Sequence, residues 1–177
     1  MNELSQKEYA PFYSGYIQNA TSRSADLLNL MNENKDETID FFIRIPQEKH
    51  LYSYADKKWT VLELLQHLID SERVFAYRAL RFAREDKTPL PGFEENDYAQ
   101  KSRANSRTFE SLLNEFRTVR DASISLFSSF NDDDMKKMGI ASDTVLWIAQ
   151  GATGQAAGCL TLWVLFLRLA SATYLAA

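Results

Sequence analysis

One cysteine, two histidines, four prolines and six glycines are all that 177 residues contain of those types. With Cys159 alone no internal disulfide can form, which suits a reducing compartment. The scarcity of glycine and proline, and the lack of any stretch alternating cleanly like a half-buried strand, argue against a strand-built fold. A basic excess is also missing. The net charge is −4 and the pI near 5.3, so a dedicated nucleic-acid binder is not expected. Arg73, Arg78, Arg81 and Arg84 do recur, but Glu72, Glu85 and Asp86 are interspersed. That pattern predicts a solvated helix face with modest ion pairing. Glu3, Lys7 and Glu8 interrupt the opening, so no signal peptide is visible and the cytoplasm is the expected address. A glycine-rich phosphate loop, a nucleophile elbow and a Cys-x-x-Cys pair are all lacking.

What is present is helical spacing, in a chain long enough to bury a real core as one domain over residues 1–177. An aromatic opening over residues 9–16 is expected to lie extended across the body. Leu27, Leu28, Leu30 and Met31, then Ile39, Phe41, Phe42 and Ile45, predict a first helix with a kink near Asn34 and a stop at Pro46. The second helix spans about residues 60–85, with Val61, Leu65, Leu68, Phe75, Ala79 and Phe82 on its apolar face. Pro89, Pro91 and Gly92 break the chain before a packed connection over residues 93–98. A third helix over about 105–129 carries Phe109, Leu112, Leu113, Phe116, Val119, Ile124 and Phe127. Residues 132–134 can cap a short turn, and Ser142 or Asp143 a last helix. Four long helices with one long crossover predict an all-α four-helix bundle of the up-and-down type.

The composition shifts after Lys137. From Ile140 to Ala177 the only charged residues are Asp143 and Arg168, and residues 144–167 form an uncharged run of 24. That length formally suffices for a membrane span. Gln150, Gln155, Thr153 and three glycines lower its hydrophobicity, and Gly154, Ala157 and Gly158 make a small-residue stripe suited to close helix packing. A centrally buried helix is therefore expected, with a tail anchor as the minor alternative. An apolar helix with more surface than one bundle seam needs also predicts a homodimer.

The densest signal lies in residues 58–73, Lys-Trp-Thr-Val-Leu-Glu-Leu-Leu-Gln-His-Leu-Ile-Asp-Ser-Glu-Arg. Thr60 and Glu63 fit a capping box, and Trp59 just ahead can staple the helix entry. Together with Phe75-Ala76-Tyr77-Arg78 and the Pro-Leu-Pro-Gly-Phe-Glu-Glu-Asn-Asp-Tyr connection of residues 89–98, this segment resembles the DinB/YfiT-like superfamily of four-helix bundles. The resemblance covers about residues 40–130 and leaves residues 138–177 atypical. It implies a metal-dependent enzyme, of hydrolase or thiol-dependent transferase type, acting on a small molecule through a divalent ion, commonly nickel or zinc. One ligand would come from the second helix, at His67, and two from a His-x-x-x-His pair on the last helix. In this chain those last two positions fall on Gln155 and Cys159. A thiolate can bind zinc, but an amide oxygen is a poor ligand for a borderline-soft metal.

The simpler expectations stand beside these. Without partner histidines, His67 is expected to be a partly buried ring bonded near Asp70 or Ser71, and Cys159 a small buried hydrophobe. Glu72 extends the Leu65–Leu68 stripe by a turn. A buried carboxylate there needs an arginine partner or a proton, although a pocket role stays open. His50 falls in a polar loop and is expected to be solvated. The histidine loss coincides with the composition jump, which a reading-frame change or local replacement would explain. Two functional classes therefore remain open, a metal-dependent enzyme with a degraded site and a metal-free binding or interaction protein.

Overall fold

The structure, a computed structural model, describes residues 27–148. The aromatic opening, most of the uncharged run, Gln155 and Cys159 lie outside the described residues. The chain runs through α1 (Leu27–Ile43), a 3-10 turn at Gln47–Lys49, α2 (Val61–Ala83), the short α3 (Glu95–Lys101) and a second 3-10 turn at Ala104–Ser106. It continues through α4 (Phe109–Ser128), α5 (Asp132–Met135) and an antiparallel pair of strands, β1 (Met138–Ala141) and β2 (Thr144–Trp147). Helix α2 packs chiefly on α4, α1 also rests on α4, and α3 of the crossover lies against α2.

Local chemistry sets the helix starts. Thr60 accepts from the Glu63 amide at 3.1 Å, and the Glu63 carboxylate accepts from the Thr60 amide at 2.8 Å, which completes the expected capping box. Asn105 joins it from the other side of the crossover, taking the Thr60 hydroxyl proton at 2.6 Å and donating to Glu63 at 3.1 Å. The third long helix begins later than its apolar spacing predicts. Arg103 takes a left-handed φ of 57° and Thr108 caps α4, so Asn105 belongs to the turn before it.

The core lies along the α1, α2 and α4 seams. Met31 and Phe42 of α1, Leu65, Leu68, Ile69 and Phe82 of α2, and Leu112 and Phe116 of α4 are all essentially inaccessible. Leu62, Leu64 and Ile69 are buried together with the predicted stripe, so the first turns of α2 are covered nearly all round while Phe75 is only half-buried. A helix apolar on all sides belongs in the middle of a bundle.

Two expectations are corrected. Ser142 and Asp143 do not cap a helix. Their φ values of 52° and 58° make them the central pair of a tight hairpin turn that joins β1 to β2, with Ala141 opposite Thr144 and Met138 opposite Trp147. Arg78 is not part of a solvated face. It is 4% exposed and donates to the Pro91 carbonyl at 3.1 Å and the Ser142 hydroxyl at 3.0 Å. Leu90 bridges to Ala141 alongside, with amide bonds to and from residues 140 and 142. One buried guanidinium thus ties crossover and hairpin to α2. Gly139 lets the hairpin close on the helix, since a Cβ there would lie 2.2 Å from the Phe82 ring.

Candidate functional site

His67 sits in the second turn of α2 and is 3% exposed. Its Nδ1 lies 3.4 Å from the hydroxyl oxygen of Ser71, one turn further on, and the Trp59 ring stands 4.5 Å from it, centroid to centroid. Trp59 therefore reaches past the helix entry onto the imidazole. Asp70, the other expected neighbour, is taken instead by Gln66 at 2.9 Å. Burial pushes the His67 pKa from 6.5 down to about 4, because an imidazolium would be stripped of water there. The ring is neutral near pH 7.

Glu72 lies little more than one turn beyond His67 on the same helix and is 1% exposed. Arg120 of α4, itself 0% exposed, gives its Nε to both carboxylate oxygens at 2.9 and 3.2 Å. Its Nη1 donates to the Met31 carbonyl and to Asn34 Oδ1 of α1, each at 3.2 Å. The pair is thus a three-helix junction. Burial pushes the Glu72 carboxyl up, against the pull of Arg120 and the Ser123 hydroxyl. With both oxygens committed to Arg120, the carboxylate is a structural element of the core. Asn34, where a kink was expected, is a buried partner of this junction inside an unbroken α1.

His50 is half-buried rather than freely solvated as expected. Its ring stacks on Phe109 at 4.4 Å, and its Nε2 is buried with no hydrogen-bond partner among the described residues. No sequence signal pointed to Arg120, Arg78 or the Phe109 contact, because each partner is remote in the chain. Outside the core, Glu115 of α4 joins Arg73 of α2 at 2.6 Å to Arg107 at 2.5 Å, and Arg107 reaches Gln66 at 2.8 Å. This network lies on the outer side of the α2–α4 seam.

Among the described residues no three histidine, cysteine, aspartate or glutamate side chains come together as a metal-holding group. The chain's other histidine, His50, is held against Phe109, and Glu72 is held by Arg120. The remaining donors implied by the resemblance are Gln155, an amide, and Cys159, a thiol. Both lie outside the described residues. A catalytic site of three nitrogen or carboxylate ligands with an open position does not fit this donor set. What the arrangement does offer is a neutral, oriented imidazole in the interior of the bundle, packed by an indole and a hydroxyl.

Comparison with known proteins agrees with the architecture. Residues 30–158 match the family described as the DinB superfamily. No curated protein matches the sequence. A solved structure similar to this one is YfiT from Bacillus subtilis, described as a probable metal-dependent hydrolase with an unusual four-helix bundle topology. The likeness has a TM-score of 0.65 at 14% identity and covers 99% of this chain and 89% of YfiT. At that identity it carries the fold alone, an all-α four-helix bundle. No described helix is long and apolar enough to cross a membrane.

Proposed function

The chain belongs to the DinB superfamily, and on that premise we propose that it binds and acts on a small molecule at the interior site around His67, without the family's metal centre. The observation that carries this reading is the state of His67, buried at 3% exposure, bonded at Nδ1 to Ser71 and packed on Trp59. Such a ring is a hydrogen-bonding group for an interior ligand. Two of the three donors that would be needed around an ion are an amide and a thiol. Desolvation, which keeps the ring neutral, also strengthens any hydrogen bond it makes to a ligand.

A metal-dependent hydrolase, as YfiT is described, is the second reading. It is favoured by family membership and by the same neutral imidazole, since a ligating histidine must be unprotonated. Elemental analysis of the purified full chain, with calorimetric melting during nickel or zinc titration, separates the two. The expected result is no stoichiometric metal and an unchanged melting temperature. An ion at one hundred times its Kd would stabilise the fold by about 2.7 kcal/mol. A shift of that order, abolished by His67→Ala, would reject the metal-free reading in favour of the hydrolase.

A further inference from the structure

Arg78 is a buried cation for which the described residues supply no counter-anion. It is 4% exposed, and its Nη2 gives one hydrogen to the Pro91 carbonyl at 3.1 Å and the other to the Ser142 hydroxyl oxygen at 3.0 Å. Both acceptors are neutral. The Phe75 ring, its centroid 5.6 Å from Cζ, attracts the guanidinium but brings no charge either. The carboxylates nearby in sequence are taken by other cations, Asp70 by Arg73, Asp86 by Arg81 and Glu85 by Lys137. Nε–H and both Nη1 hydrogens of Arg78 have no acceptor among the described residues, and neither nitrogen is fully enclosed. A charge withdrawn this far from water is normally paired, because its desolvation is otherwise uncompensated. We propose that Arg78 anchors an oxyanion-binding site between α2, the crossover and the hairpin, which takes a carboxylate or phosphate group of a small molecule.

Main-chain bonds, rather than mobile side chains, set the walls of this site. Leu90 donates to the Ile140 carbonyl at 2.9 Å and accepts from the Ser142 amide at 3.1 Å, which clamps the crossover to the hairpin turn. At Gly92 a Cβ would stand 3.3 Å from Ser142 Oγ, so glycine permits the close approach. The fork is thereby held in place with its Nε and Nη1 still open to an acceptor. A guanidinium makes strong, directional, charge-assisted bonds to carboxylate and phosphate oxygens alike. Arg78 follows His67 by close to three helical turns, or about 16 Å along α2. The site is therefore separate from the one around His67 and stands whether or not a ligand or metal binds there.

The test takes the full chain, dialysed into chloride, and titrates it with inorganic phosphate or, in a parallel arm, with acetate at constant ionic strength. Nitrogen-15 NMR of the arginine side chains follows Arg78 Nε–H, which Arg78→Lys identifies by its loss. The expected result is a saturable shift of that signal and a melting temperature that rises over the same concentrations. The exposed Arg84, at the end of the same helix, should drift without saturating. Saturation by phosphate alone assigns a phosphate ligand, by acetate alone a carboxylate, and by both a general oxyanion, each of which supports the site. In Arg78→Lys the saturable part of the melting shift should vanish, leaving only the general stabilisation that excluded salts give any fold. An Arg78 Nε–H that neither anion moves overturns the proposal, as does a melting response that Arg78→Lys keeps in full. Should that variant not fold, through-bond correlation to the Arg78 backbone identifies the signal in the wild type, and the titration alone decides.

Discussion

Cutting Glu72 back to alanine would strand the Arg120 guanidinium, 0% exposed, at the junction of α1, α2 and α4. The carboxylate accepts from Nε at 2.9 and 3.2 Å, while Met31 and Asn34 serve only Nη1. Removing one partner of such a pair leaves an uncompensated buried charge, a loss of about 3–5 kcal/mol. Domains commonly hold about 5–15 kcal/mol in all, so the variant should be close to unfolding. For a chain of this size the loss corresponds to about 6–20 °C in melting temperature. Glu72→Gln should fall between alanine and wild type, because its amide oxygen still accepts from Nε but brings no charge. Arg120→Met exposes the converse problem. Glu72, already pushed up by burial, would then titrate higher still. A carboxyl whose folded pKa is raised lends stability below its unfolded pKa and loses it as pH rises through the folded value, so Arg120→Met should be least damaged in acid. Denaturant melts of both single variants and the double variant complete a thermodynamic cycle. The reasoning is refuted if Glu72→Ala costs less than about 1 kcal/mol, or if the two sites prove additive.

His67 makes a separate pH prediction. Its folded pKa lies near 4 against 6.5 unfolded, so between those values the unfolded chain binds more protons and stability rises with pH. The full contribution, about 3 kcal/mol from a pKa drop of about 2.5, is present above pH 6.5 and lost on acidification to about 4. Melts of His67→Gln across that window should show a shallower slope, and a slope equal to wild type would contradict the burial argument. Gly139→Ala places a methyl 2.2 Å from Phe82, itself 1% exposed, and should cost about 1–3 kcal/mol by urea melt. Thr60→Ala removes both the helix cap and the Asn105 tie, for an expected loss of about 0.5–2 kcal/mol with the helix content of the intact fold retained.

Features set by neighbours in sequence were legible before the fold was known. Thr60 and Glu63 lie three residues apart, so a capping box follows from helix geometry alone. At α5 the cap is Asn131, one residue ahead of the expected 132–134, with Asp134 completing the box. The inward turn of Glu72 follows from 3.6-residue periodicity, and its need for an arginine from the cost of a buried charge. Which arginine could not be read, because Arg120 lies 48 residues away on another helix. The Ser142–Asp143 hairpin escaped for a related reason. Strands of four residues give too short an alternation to register, and the uncharged composition beyond them has no period that separates strand from helix.

By itself, then, the amino-acid order determined the three long described helices with their apolar faces, the Thr60–Glu63 cap, and which polar groups must find partners if buried, since each depends on contacts within a few residues. Only the tertiary structure decided that Arg78 is a core tie, that His50 stacks on Phe109, and that Arg120 joins three helices. Those outcomes depend on which surfaces meet, and the energy of a buried charge or ring is settled by whatever the bundle brings against it.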